Sequence, residues 1–268
     1  MMKKKLLYLS LTIVLIAGLL AGCGGENAPQ DGGGSEGEKV LIVRASGDPM
    51  TFNPDTVGDD NAYPIIQNIF NRLVKLDSSK QIIPDLATDW DISEDGKTIT
   101  FNLRDDAKWH DGEKVTSKDV KYTFDTIKEN KSYFMSSRLG IVDSIDTPDD
   151  NTVVFNMNEA DVSFIADLGW YATFILPEHV FNNGQDWDEN PASKDPIGSG
   201  PFKFSDFKQG ESITLVANPD YHEGAPKIDK IIYSIIPDDA TAVQALLNGD
   251  IDVFEAVPAA NIEELEAS

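Results

Sequence analysis

Cysteine, histidine and positive charge are scarce in this 268-residue chain: one Cys, three His, and 22 Lys or Arg against 46 Asp or Glu. A single cysteine, Cys23, excludes an intrachain disulfide, so the fold rests on packing. The histidines, His110, His179 and His222, show no metal-ligand spacing, and none lies near Cys23. They read as structural or surface residues, and no metal or other cofactor is expected. A formal net charge of −24 repels phosphate backbones and argues against a nucleic-acid partner. No phosphate-cradling Gly-x-x-x-x-Gly-Lys loop occurs, no catalytic constellation stands out by local spacing, and no repeat of 20–50 residues is visible. An enzyme is not the expected reading. The longest apolar run, residues 6–20, is shorter than the roughly 20 residues that span a bilayer.

That run follows Lys3-Lys4-Lys5 and ends at Leu20-Ala21-Gly22-Cys23, the layout of a secretory signal peptide. Its last four residues resemble a bacterial lipobox. The resemblance implies removal of residues 1–22 and a lipid on the Cys23 thiol, holding the protein on the outer face of a membrane. An uncleaved N-terminal anchor is the alternative, and both put the body outside the cytoplasm. Losing Lys3, Lys4 and Lys5 takes the charge from −24 to −27. Residues 23–39 are glycine-rich, without large apolar side chains, and read as a tether.

The remainder carries ample core material, 41% hydrophobic overall with thirteen Phe and four Trp. Residues 40–44 read as a buried strand, and Pro64 opens an apolar helix. Residues 90–93 and 98–103 form a hairpin across Asp95-Gly96, with Trp90 and Ile92 on its core face. Asp91, Ser93, Asp95 and Gly96 imitate the start of a calcium loop, but Asn102 stands where a bidentate Glu is needed, so the turn is read as a turn. A helix over 117–130, capped by Thr116 or Ser117, carries the stripe Val120, Phe124, Ile127. A second hairpin pairs 141–145 with 152–157. Strands are expected over 213–217, 230–236 and 251–254, with a helix from Asp238 or Asp239 to Leu247 ended by Asn248-Gly249. Trp90, Trp109, Trp170 and Trp187 read first as packing residues. Trp170, where one pattern gives way to the next, is the best candidate for a cleft wall.

Several ordered blocks resemble the solute-binding proteins of peptide ABC importers. They are Pro84-Asp85-Leu86-Ala87 through Trp90, Asp95-Gly96, Thr100-Phe101, Leu103-Arg104, Trp109-His110-Asp111-Gly112, Thr116 to Val120, Gly198-Ser199-Gly200-Pro201-Phe202, Asn218-Pro219-Asp220-Tyr221 and Gly249 to Asp252. The match runs from about residue 40 to 258. It implies an α/β fold, the large periplasmic-binding-protein-like class II architecture, whose first lobe carries an inserted α+β domain. Residues 40–70 and 176–268 are assigned to the core domain and 71–175 to the insert. The resemblance also implies a second lobe, for which these residues hold no counterpart, so the chain is expected to be either a fragment of a longer protein or a truncated gene product. It implies a monomer that captures a peptide and delivers it to membrane permease subunits. Nickel, haem and oligosaccharide binders share the fold, and a surface lipoprotein without a transport role is the competing class. By position, ligand contacts are expected at Gly58, Asp59, Asp60 and Asn61 and at Tyr133; most signature residues read as structural.

Overall fold

The computed structural model describes residues 37–55, 59–130, 133, 135–170 and 173–266. The expected leader and all but the end of the tether, Cys23 included, lie outside them, as does Gly58. Glu38 onward forms one compact unit. No described helix is long and apolar enough to cross a membrane.

β1 (Val40–Ala45) lies where the sequence put it. α1 (Tyr63–Ile69) follows, with Pro64 in its first turn and Ile65, Ile66 and Ile69 buried. A short antiparallel pair, β2 (Val74–Leu76) and β3 (Ile82–Pro84), was not expected. The first hairpin is β4 (Ala87–Ile92) and β5 (Thr98–Leu103), with Gly96 in the left-handed region at φ 70°. Trp90 packs partly buried against the core, but Ile92 is 49% exposed, contrary to expectation. β4 is an edge strand, so Ile92 has a paired neighbour, Ile99, on one side only.

α2 (Ser117–Glu129) buries Val120, Phe124 and Ile127 as its period predicts. β6 (Val142–Asp149) and β7 (Thr152–Met157) form the second hairpin. β6 runs longer than expected, through Thr147-Pro148, because it is an edge strand, where a missing N–H is harmless. The sheet order is β4-β5-β7-β6, antiparallel throughout. Two short helices, α3 (Phe164–Leu168) and α4 (Glu178–Phe181), lead to β8 (Phe202–Lys208), β9 (Ser212–Ala217) and β10 (Lys230–Ile235). β8 was also unforeseen.

These last three strands join β1 in a second sheet of order β1-β10-β9-β8. β1 runs parallel to β10, in register Ile42 to Ile232, and the other pairs are antiparallel. α5 (Asp239–Asn248) is capped by Asp238, whose carboxylate accepts from the Thr241 N–H at 2.8 Å, and stops at Gly249, φ 76°. The strand expected over 251–254 is only a parallel bridge, Val43 to Val253. The Asp252 carboxylate takes the Ile42 N–H at 2.8 Å, where a ladder carbonyl would sit, and the pairing goes no further. α6 (Ile262–Glu266) ends the described chain. One large core spans both four-stranded sheets, and a smaller one gathers Ala242, Val243, Ile251 and Phe254 beneath α5.

Candidate ligand-binding site

Parallel strands gather their loops at their carboxyl ends, and that is where α/β sheets open a crevice. Here β1 ends in Arg44 and Ala45, followed directly by Ser46, beside the loop that enters α1 and the segment that follows the Val253 bridge. Together they enclose a cavity of about 180 Å³, lined by these three residues, Asp60, Asn61, Pro64, Tyr233, Phe254, Glu255 and Ala256.

Asp59 shapes this wall from behind. It is buried, and its carboxylate accepts from the N–H groups of Met50 (2.7 Å) and Asn61 (3.0 Å). Its carbonyl accepts from Ala62 and Tyr63 N–H, tying the loop to the start of α1. Asp60, next along, is exposed at the rim. The Ser46 hydroxyl donates to Asn61 Oδ1 at 2.7 Å. Tyr233 donates from its hydroxyl to the Pro64 carbonyl at 2.6 Å and accepts from Asn68 Nδ2 at 3.0 Å. Burial, and secondarily the nearby Glu255 charge, push its phenol well above the ordinary range, while the Asn68 bond opposes them. Arg44 donates to the carbonyls of Ile236 (2.9 Å) and Pro237 (3.1 Å), pairs with Asp239 at 2.7 Å, and lays its guanidinium 4.7 Å over the Phe254 ring.

Of the expected contacts, then, Asp60 and Asn61 line the cavity and Asp59 supports them. Tyr133 is elsewhere. It is buried and stacked on Trp187, 5.1 Å between centroids at 14°, in a separate cleft of about 580 Å³ between the end of α2 and residues 181–187. Burial pushes its phenol up to about 12, helped by the charges of Asp188 and Asp186 and opposed by a bond from Asn130. Trp170 is 61% exposed and lines neither cavity. Sequence reasoning missed Arg44, Ser46, Tyr233 and Glu255. Two of them directly follow or end the parallel strand β1, a position that marks them in hindsight. Among the described residues no group of three or more His, Cys, Asp or Glu could hold a metal ion.

The signature blocks meet elsewhere, at the seam between the sheets. The His110 ring sits between the Gly198 N–H, 3.2 Å from Nδ1, and the Gly200 carbonyl, 3.0 Å from Nε2. Asn218 Nδ2 donates to the same carbonyl at 3.0 Å, and Ser199 donates to Asn71 Oδ1 at 3.1 Å. A Cβ on Gly198 would stand 1.9 Å from the Ile69 carbonyl oxygen, so only glycine fits.

Comparison with known proteins adds to this geometry. Residues 81–268 match the model of the bacterial extracellular solute-binding proteins, family 5 middle. The oligopeptide-binding protein AppA of Bacillus subtilis is 33% identical over 280 residues, 98% of this chain and 50% of the relative. Its solved structure in complex with a nonapeptide superposes with a TM-score of 0.79 over 85% of this chain and 46% of that one. DppA of Helicobacter pylori, solved with the peptide STSA, gives 0.77 at 30% identity, covering 85% and 49%. AgaA of A. tumefaciens R10, solved with agropinic acid, gives 0.78 at 32% identity, covering 85% and 46%. The chain spans between 38% and 50% of the length of the curated relatives it matches. The solved neighbours are periplasmic binding proteins of the same type, and the mixed α/β architecture is theirs over the part covered.

Proposed function

The chain belongs to the bacterial extracellular solute-binding proteins of family 5, and from that membership we propose that it is part of the substrate-binding component of an ABC importer for peptides. The observation that carries the reading is the cavity at the carboxyl end of β1, built from the loop around Asp59-Asp60-Asn61 and from Tyr233, Phe254 and Glu255. At about 180 Å³ it is below the usual 300–1,000 Å³ of a complete ligand site. It therefore forms one wall of a site rather than the whole. Binding is without chemistry: the ligand is held through its backbone and one end, in the manner of an added strand, and released to membrane permease subunits. The domain reading accompanies this, with residues 40–70 and 176–268 as the core of the lobe and 71–175 as its insert. Lipid attachment at Cys23 and a place on the outer face of the membrane complete it; the protein acts as a monomer.

The test is retention of peptides. The purified chain is incubated with a mixture of peptides of two to nine residues, desalted and examined by native mass spectrometry. Bound peptide, lost on substitution of Asp59 by Ala, is expected. No retained peptide at any length, with a folded protein, overturns the reading.

A further inference from the structure

An asparagine followed by glycine is a step at which a polypeptide readily attacks itself, because glycine has no Cβ to shield its nitrogen. The described residues hold two such steps, Asn183-Gly184 and Asn248-Gly249. By sequence they are equivalent, and the fold makes them different. Gly249 closes α5, and its N–H is shared between the Ala245 and Leu246 carbonyls. Asn248 is itself helical, and the five-membered ring that attack requires does not close on a helical backbone. Gly184 has neither restraint. Its N–H has no hydrogen bond among the described residues, its φ is 82°, and its two neighbours aside no atom lies within 4 Å of where a Cβ would stand. Residues 182–186 are all exposed, in the loop between α4 and the buried Trp187.

The Asn183 side chain is set for the same reaction. Its Oδ1 accepts from the Gln185 N–H at 3.0 Å. That bond folds the amide forward over the Gly184 peptide and places a donor on the oxygen that turns anionic under attack. Nδ2 is held by the exposed Gln185 Oε1 alone, at 3.3 Å. We infer that Asn183-Gly184 is a site of spontaneous deamidation, and that it reacts before any other Asn-Gly step of the described fold. The Gly184 nitrogen gives up its proton and bonds to Asn183 Cγ. The Cγ–Nδ2 bond breaks, and Nδ2 leaves as ammonia with that proton. Water then opens the succinimide at either carbonyl, leaving aspartate or isoaspartate. Nothing is oxidised or reduced. Asp95-Gly96 and Asp111-Gly112 can close the same ring with loss of water, but the Ser93 carbonyl holds the Gly96 N–H at 2.8 Å and the Trp109 carbonyl holds that of Gly112 at 2.9 Å. The product changes its surroundings. Gly184, Gln185 and Asp186 line the cleft of about 580 Å³ in which Tyr133 stacks on Trp187. Reaction brings a new carboxylate to this acidic rim, and the isoaspartyl form adds a carbon to the main chain.

The test is timed ageing of the purified chain in mildly alkaline buffer. Peptides from a protease digest are weighed for loss of the amide, and isoaspartate is read by enzymatic methylation of its carboxylate. One backbone hydrogen bond that must first open slows attack by roughly tenfold, and leaving the helix adds to it. The Asn183 peptide is therefore expected to convert at least about tenfold faster than the Asn248 peptide. In urea, where neither restraint survives, the gap should close. Asn183→Gln lengthens the ring that has to form and should abolish the early conversion. A folded chain in which Asn183 converts no faster than Asn248 overturns the inference. So does a gap that survives in urea, which would place the preference in the sequence rather than the fold, or early conversion that persists in Asn183→Gln.

Discussion

His110 is locked in one protonation state by its neighbours. The Gly198 N–H occupies Nδ1, so Nδ1 must accept, and the ring proton belongs on Nε2 facing the Gly200 carbonyl. A second proton would have to displace the Gly198 bond in a buried place. Burial, with the charge of Lys203 adding to it, lowers the imidazole from 6.5 to about 4; the Gly200 bond and Asp111 oppose them. The unfolded chain therefore takes up the proton first, near pH 6.5, and stability is lost as pH falls from there towards 4. The expected loss from this residue is about 2 kcal/mol between pH 7 and pH 5. Urea titrations at the two pH values should show His110→Gln less stable than the parent at pH 7, by about 1–3 kcal/mol for the orphaned Gly198 N–H. The gap should narrow at pH 5. A gap of constant size would mean that the ring titrates normally and that the two-bond geometry does not hold it neutral.

At the scale of elements, one of the bonds that fasten α2 to its surroundings runs through a buried hydroxyl. Thr123 donates to the Asp119 carbonyl at 2.8 Å and accepts from the Leu176 N–H at 3.0 Å, fully buried. Thr123→Val preserves shape but leaves that N–H without an acceptor, a cost of about 1–3 kcal/mol in urea unfolding, whereas Thr123→Ser keeps the bond and should cost less. Gly198→Ala is the harsher case: the added carbon meets backbone, not a yielding side chain, and a loss of about 3 kcal/mol or no folded protein is expected. Gly112→Ala, in open space at φ 99°, should cost only about 1 kcal/mol in the same assay. These elements also show what a sequence discloses. α2 and β5 carry periods of 3.6 and 2 over enough residues to be read, and Asp95-Gly96 announces its turn. β2 and β3 are three residues each, too short for any period to register. The site is legible in part for the same kind of reason. Asp60 and Asn61 lie in one continuous loop that a resemblance could mark. Arg44, Tyr233 and Glu255 become neighbours only when β1 pairs with β10, as the bond from Arg44 to Ile236, 192 residues away, illustrates. Local spacing carries no trace of such a pairing.

At the scale of the molecule the open question is whether 71–175 folds as a unit of its own. Its sheet is separate from that of β1, β8, β9 and β10, yet the two share one hydrophobic core and a polar seam. Asn71 Nδ2 donates to the Tyr221 hydroxyl at 3.2 Å, Asn71 Oδ1 accepts from Ser199 at 3.1 Å, and Arg72 donates to the Tyr63 hydroxyl at 3.2 Å. Cutting such a seam would bare both apolar and buried polar surface, which argues for one cooperative transition. Phe155 is a suitable probe: fully buried, it touches Phe101, Phe124 and Phe164 at centroid distances of 5.7, 5.3 and 5.7 Å, all within residues 71–175. Phe155→Ala should cost about 3–5 kcal/mol. If the sheets unfold together, hydrogen exchange at Ile213, Leu215 and Ile231 in the other sheet should lose as much protection as exchange at Ile99 and Val153 beside the mutation. A loss confined to the second pair would show that the insert opens alone. In that case the wall of the cavity, whose residues all come from the other sheet and its loops, would keep its shape while the insert is open. A shared loss ties the geometry of the ligand wall to a packing defect in a sheet that contributes no residue to it.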